Sequence, residues 1–206
     1  MLEALGERSL DFDLPDTPNF VDQIEPYQLD AKRFSPARQI ACYPRMRTFM
    51  GYRRDGRRGV GTRNTIVLLS TSSRTSGFVR QLESRLQERV KPYPNIDGIV
   101  AIAHTEGADG LPNNLDMLLR TLAGFMVHPN VGAVLAVDTG ADAVTNAMLT
   151  DFMRQHEYPL DQVPHDFFSL SGGFQRHLDH AEAIVQGWLD PVNDTSRTTQ
   201  PLSHLK

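Results

Sequence analysis

Cysteine is nearly absent: the 206 residues contain one, Cys42. A single thiol excludes an intrachain disulfide framework and a multi-thiolate metal site, and points to a reducing cytoplasm as the compartment. Long hydrophobic runs are also missing. No stretch of about 18 apolar residues occurs, so no helix is expected to span a membrane. The opening MLEALGERSLDFDLP has neither the basic start nor the apolar stretch of a secretory signal. Excess positive charge is lacking as well. A net charge of -4 and a pI of about 5.9 argue against a general nucleic-acid binder.

What is present suits one soluble α/β domain with extra segments. Hydrophobic residues make up 40% and charged residues 22%, with a mean hydropathy of -0.36. That is enough apolar surface for one core at this length. Residues 1–50 carry Pro15, Pro18, Pro26, Pro36 and Pro44 and hold no sustained period. They read as an extended arm or linker, with room for a short helical turn near Ala4.

From Thr65 a repeating pattern begins. Thr65–Ser70, Gly98–Ala103 and Val131–Val137 are short apolar runs, as expected of strands buried on both faces. Asp166–Leu170 is a weaker fourth. Between and after them, Ser76–Val90, Leu115–Val127, Ala141–His156 and Gly173–Leu189 have apolar residues at helical spacing. Alternation of this kind implies an open, mostly parallel Rossmann-like sheet with helices on both faces. The α/β domain is assigned to 51–190, and 191–206 is expected to be a polar, loose tail.

Ligands of open parallel sheets bind at the carboxyl ends of the strands. Three loops are expected there. The first, Thr71 to Gly77, is rich in hydroxyls; it reads either as helix capping or as an anion cradle to which Arg74 adds charge. The second offers His104, Glu106 and Asp109, an imidazole and two carboxylates suited to acid–base work or to metal ligation. The third offers Asp138, at the end of a strand, and Asp142, which is expected to start a helix. His177 and His180 share a helix face, where a solvated polar surface or a zinc pair are both open.

The segment from Gly51 to Asn64 is unusual. Its glycines resemble a dinucleotide loop but precede the first strand instead of following it, which disfavours a nucleotide site. Arg45, Arg47, Arg53, Arg54, Arg57, Arg58 and Arg63 crowd this region. They are expected either to grip a carboxylate, from a sugar acid or a neighbouring domain, or to form an exposed basic loop.

The text GYRRDGRRGVGTRNTIVLL resembles the start of the middle domain of the altronate/galactarate dehydratase family. Tyr93–Gly98, His104 with Gly107, Leu119–Gly124, His128–Asn130, Gly172-Gly173 and the segment around Pro201–Ser203 continue the resemblance in order. It covers about three quarters of the chain. The resemblance implies a cytoplasmic hydro-lyase of hexuronate or aldarate catabolism that dehydrates sugar acids to 2-keto-3-deoxy acids with a divalent metal, usually iron. It also implies a homo-oligomer, and a possible second dehydratase subunit or domain. His104, Glu106 and Asp138 are the expected catalytic residues; Thr62, Arg63, Asn64 and Arg74 are expected to bind substrate.

Two departures qualify it. Family members commonly carry cysteines in the three strand-end loops, where Arg74, Ala108 and Ala141 stand here. The sequence also stops at Lys206, about where the family's large C-terminal domain begins, and an arm stands in place of its small N-terminal domain. A truncated member or one subunit is therefore expected. The alternative is a non-catalytic homologue acting as a binding or assembly module.

Overall fold

The computed structural model describes Glu25, residues 27–41 and residues 46–206. The chain divides into two compact units, 1–43 and 44–206. In the first, the described residues form one turn, in which the amides of Arg33 and Phe34 donate to the Asp30 carbonyl at 3.0 Å. The expected turn near Ala4, together with Cys42 and Arg45, lies outside the described residues.

The second unit is built on four parallel strands: β3 (Thr65–Ser70), β4 (Gly98–Ile102), β5 (Val131–Asp138) and β6 (His165–Ser169). Their order in the sheet is β4-β3-β5-β6. A small antiparallel sheet, β2-β1-β7, joins β1 (Thr48–Arg53), β2 (Val60–Gly61) and β7 (Thr198–Pro201). The connecting helices are α1 (Ser76–Val90), α2 (Leu115–Val127), α3 (Asn146–Gln155) and α4 (Phe174–Asn193).

The period of two along each strand divides the core. Ile66 and Leu68 of β3, with Ala133, Leu135 and Val137 of β5, pack with Phe78, Leu82 and Leu86 of α1 and Leu178, Ala181 and Val185 of α4. Val67 and Leu69, with Val134 and Ala136, pack on the opposite face with Leu122 and Met126 of α2 and Leu149 and Met153 of α3. Each fully buried aliphatic side chain contributes about 1.5–3 kcal/mol of transfer free energy. Helices thus cover both faces, as the alternating apolar runs require.

β4 is an edge strand of five residues, GIVAI, with no charge of its own. Its exposed ladder is closed by α1: the Ala101 amide donates to Glu83 at 3.2 Å, and Gln87 donates to the Ile99 carbonyl at 3.2 Å. These contacts occupy backbone groups that would otherwise pair with another strand.

Three boundaries differ from expectation by more than one residue. The third helix begins at Asn146, not Ala141, because Thr145 caps it by accepting from the Met148 amide at 3.2 Å. Asp142 therefore lies in the loop and does not start the helix. The fourth helix runs through Pro191 to Asn193. A proline removes one helical hydrogen bond, but the last turn is tied down from outside. The Val192 carbonyl accepts from Asn64 at 2.9 Å, and the Asn193 side chain accepts from the Asn95 amide at 3.0 Å. Finally, residues 198–201 are not loose: they pair with Thr48–Gly51 as β7.

Two arginines of the basic segment depart from the exposed loop that is one expectation for it, while Arg53, Arg57 and Arg63 are exposed. Arg58 is 5% exposed and donates to the carbonyls of Val127, Gln162, His128 and Val131 at 3.1, 3.1, 2.7 and 2.5 Å. It closes the carboxyl end of α2, where a cation complements the helix dipole. Arg54 donates to the Pro129 carbonyl at 2.8 Å and to the Asn64 side chain at 2.9 Å. Burial pushes both guanidinium groups down to about 10, still cationic at neutral pH. Glycine is required at position 61, where an added Cβ would meet the Pro129 carbonyl at 2.3 Å.

Candidate functional site

The chain leaves β3 for β4 on one side and later returns to β5 on the other. That reversal puts a switch point at the carboxyl ends of β3 and β5, the usual ligand position of such sheets. The three loops expected there share one rim and are joined by backbone hydrogen bonds. Ser73 N donates to Glu106 O at 2.8 Å, Ala143 N to Ala108 O at 3.1 Å, and Val144 N to Gly107 O at 3.1 Å. Gly107 has φ +77 and its missing side chain leaves room for Val144, so the second loop can lie against the third.

The hydroxyls of the first loop are turned inward. Ser70 Oγ lies 2.7 Å from Thr75 Oγ1, which donates to the Val137 carbonyl at 3.0 Å. Ser72 Oγ accepts from the Arg74 amide at 3.3 Å, a capping contact. Arg74 itself projects to the rim, with its side chain 45% exposed. It pairs with Asp109 of the second loop and stands 3.9 Å from Asp142 of the third.

His104 is fixed by its neighbours. Its Nε2 lies 2.9 Å from the Ser70 carbonyl, its Nδ1 accepts from the Glu106 amide at 3.2 Å, and its carbonyl accepts from Ser76 Oγ at 2.9 Å. With Nδ1 accepting, the proton that faces the Ser70 carbonyl is the one on Nε2. Glu106 is exposed, and its carboxylate has no hydrogen-bond or ion-pair partner among the described residues.

Asp138 is 2% exposed. One oxygen accepts from the Asn146 amide at 2.8 Å and the other from Ser169 Oγ, so the carboxylate joins the end of β5 to the start of α3 and to β6. Asp142 is more buried than its sequence position suggests. Oδ2 accepts from the Thr139 amide at 2.9 Å, while Oδ1 has no hydrogen-bond partner. The sequence signal for this fold-back is Asp-Thr-Gly-Ala-Asp, in which Gly140 adopts φ +71 and turns the chain toward itself.

Thr62, Arg63 and Asn64 lie at the other end of the sheet. β3 separates them from the rim by its length, roughly 20 Å for six residues at about 3.3 Å each. The Thr62 and Arg63 amides donate to Asn130 at 2.8 and 3.1 Å, and Arg63 faces Asp97 at 3.5 Å. Asn64 is fully buried, donating to the carbonyls of Asn95 and Val192. Nearby, Tyr52 lies beneath the Arg197 guanidinium at 5.0 Å, and burial first, then Asp97, raises its pKa. The His177 and His180 rings both stand nearly perpendicular to the Phe168 ring, at 5.5 and 5.2 Å, and His177 Nε2 accepts from the Ser171 amide at 3.0 Å.

The residues of the rim do not make an iron site by themselves. Among the described residues no three His, Cys, Asp or Glu side chains converge as metal ligands, and both His104 nitrogens are engaged. What the rim offers is one exposed cation, one free carboxylate and a buried carboxylate oxygen in want of a donor. That combination suits holding a small acid and moving a proton beside its acid group.

Comparison with known proteins places the chain in a family. The family described as "D-galactarate dehydratase/Altronate hydrolase, second domain" matches residues 51–193. Altronate dehydratase of Escherichia coli strain K12 is 30% identical over 115 residues, 55% of this chain and 23% of that protein. The (2R)-sulfolactate sulfo-lyase subunit beta of Chromohalobacter salexigens is 34% identical over 159 residues, 77% of this chain and 36% of that protein. Altronate dehydratase of Bacillus subtilis strain 168 is 25% identical over 160 residues, 78% of this chain and 31% of that protein. The matched part of the chain therefore spans between 23% and 36% of the length of these relatives. No described helix is long and apolar enough to cross a membrane.

Proposed function

Because the chain belongs to the D-galactarate dehydratase/altronate hydrolase family, through that family's second domain, we propose that it serves an altronate- or galactarate-type hydro-lyase of sugar-acid breakdown as one domain or subunit. The observation that carries this reading is that Arg74 and the unpaired Glu106 stand on adjoining loops at the sheet's switch point, loops joined where the Ser73 amide donates to the Glu106 carbonyl. Dehydration beside an acid group removes a proton from the adjacent carbon and expels hydroxide from the next one. Arg74 is assigned to the acid group, which a guanidinium fork matches. Glu106 is assigned to the proton. His104 and Asp138 act by holding the second and third loops in place.

A relative named as a beta subunit supports a multichain enzyme. We infer that a second subunit or domain completes the site and supplies the ligands for the divalent metal that the resemblance implies. Thr62, Arg63 and Asn64 are assigned to joining the small sheet to the large one, given their contacts with Asn130, Asp97 and Val192.

The engagement of both His104 nitrogens and both Asp138 oxygens favours a second reading, in which the domain binds or assembles without taking part in the chemistry. One experiment separates the two. The chain is combined with a complementing dehydratase partner and iron, supplied with altronate and galactarate, and assayed for the 2-keto-3-deoxy acid. Turnover that Glu106→Gln abolishes without dispersing the assembly supports the first reading. Turnover unaffected by Glu106→Gln supports the second, and no turnover of any sugar acid overturns the first.

A further inference from the structure

Arg74 stands between two carboxylates of opposite character. Asp109, its ion-pair partner, is 84% exposed. Asp142, 3.9 Å from the other amino group of the same guanidinium, is fully buried, and its Oδ1 lacks any hydrogen bond. A buried carboxylate oxygen without a donor is costly, so the Asp142 side of the pair has reason to draw the guanidinium inward. The Asp109 side has little to hold it. An ion pair this open to water is worth at most about 1 kcal/mol, and Asp109 makes no other side-chain contact among the described residues. It also sits between Gly107 and Gly110 on a loop otherwise anchored through the backbone of residues 106–108.

We propose that Arg74 and Asp142 form a subsite for a small carboxylate or sulfonate, and that Asp109 is its internal, displaceable occupant. Asp142 anchors the guanidinium from below. The outward fork, filled by Asp109 in the free chain, receives the ligand's oxyanion. When the ligand arrives, the Asp109 carboxylate returns to water and Arg74 closes on Asp142 Oδ1, giving that oxygen its missing donor. Asp109 thus sets a threshold: an anion binds only if it exceeds the hold of the chain's own carboxylate. The proposal deepens the functional reading above by naming the group recognised, and it rests on that reading only for the identity of the natural ligand.

The test is a binding titration, independent of turnover. The full chain is titrated calorimetrically with tartrate, a hydroxy dicarboxylate, and with sulfoacetate, which adds a sulfonate. Asp109→Asn is expected to bind two- to fivefold more tightly than the unaltered chain, the loss of a competing exposed pair. Arg74→Gln is expected to lose binding. Asp142→Asn is expected to weaken it, with circular dichroism confirming that each variant is folded. Affinity unaltered or weakened in Asp109→Asn, binding retained in Arg74→Gln, or no binding of either probe by any form overturns the proposal. Preference between the two probes shows which oxyanion the fork takes. Binding without turnover in the assembled enzyme would overturn the hydro-lyase reading and leave the subsite standing.

Discussion

The guanidinium of Arg58 donates to the His128 carbonyl at 2.7 Å, at the point where α2 ends. The same side chain reaches Val127, Val131 and Gln162, so one buried cation joins α2, β5 and the segment before β6. Its fixed fork of donors matches four carbonyls that no smaller side chain reaches.

Arg58→Ala is therefore expected to be among the more damaging single changes. Removing it leaves buried carbonyls without donors and a void between elements, at about 3 kcal/mol or more. Urea denaturation is expected to show the loss as a lower midpoint, and thermal melting as a fall of roughly 6–12 °C. Arg58→Lys should recover only part, because an ammonium cannot span the four acceptors. A midpoint unaltered in Arg58→Ala would remove the residue from this role.

The same pair gives a pH dependence. Burial, and then the Arg58 charge, lowers the pKa of His128 below its ordinary 6.5. The unfolded chain takes up this proton before the folded one does, so His128 contributes a loss of stability as pH falls below about 6.5 and none above it. The imidazole is open to solvent on one side, so the contribution is small. His128→Gln is expected to lose less stability between pH 7.5 and pH 5 than the unaltered chain, measured by urea midpoints. An equal or larger loss would contradict the assignment.

How much of this was legible in the sequence follows from range of interaction. The strands of TIVLLS, GIVAI and VGAVLAV and the helices between them follow from period and apolar run length, and these fix the rim. Contacts far apart in the chain were not legible. Pro191 looks like a stop because the hold of Asn64 on Val192, 128 positions away, has no local signal. Arg58 looks like part of an exposed basic loop because a sequence shows charge without showing burial. Asp142 looks like a helix start because the Asp-Thr-Gly-Ala-Asp turn places its carboxylate inward only once β5 and α3 are in place.

Asp138 is expected to matter for stability first. Asp138→Asn replaces an acceptor facing the Asn146 amide and Ser169 hydroxyl with a group that satisfies only part of that demand. A destabilisation of about 1–3 kcal/mol is expected in chemical denaturation. A variant as stable as the parent would show that the carboxylate is not holding β5 to α3.

The closed edge of β4 makes another expectation. Glu83→Ala with Gln87→Ala frees the Ala101 amide and the Ile99 carbonyl on a strand without charge. Sedimentation velocity is expected to show a shift to larger species with rising concentration, relative to the unaltered chain. Identical profiles would indicate that the two side chains do not protect the edge.

We propose that ligand binds where the loops of Arg74, His104 and Asp138 share a rim, and not at the arginine-rich end of the sheet. Amide chemical-shift mapping of the full chain during a tartrate titration tests it most directly. Shifts concentrated in residues 71–76, 104–110 and 138–146 are the expected result. Shifts concentrated in residues 51–64, with the rim unmoved, would contradict the account.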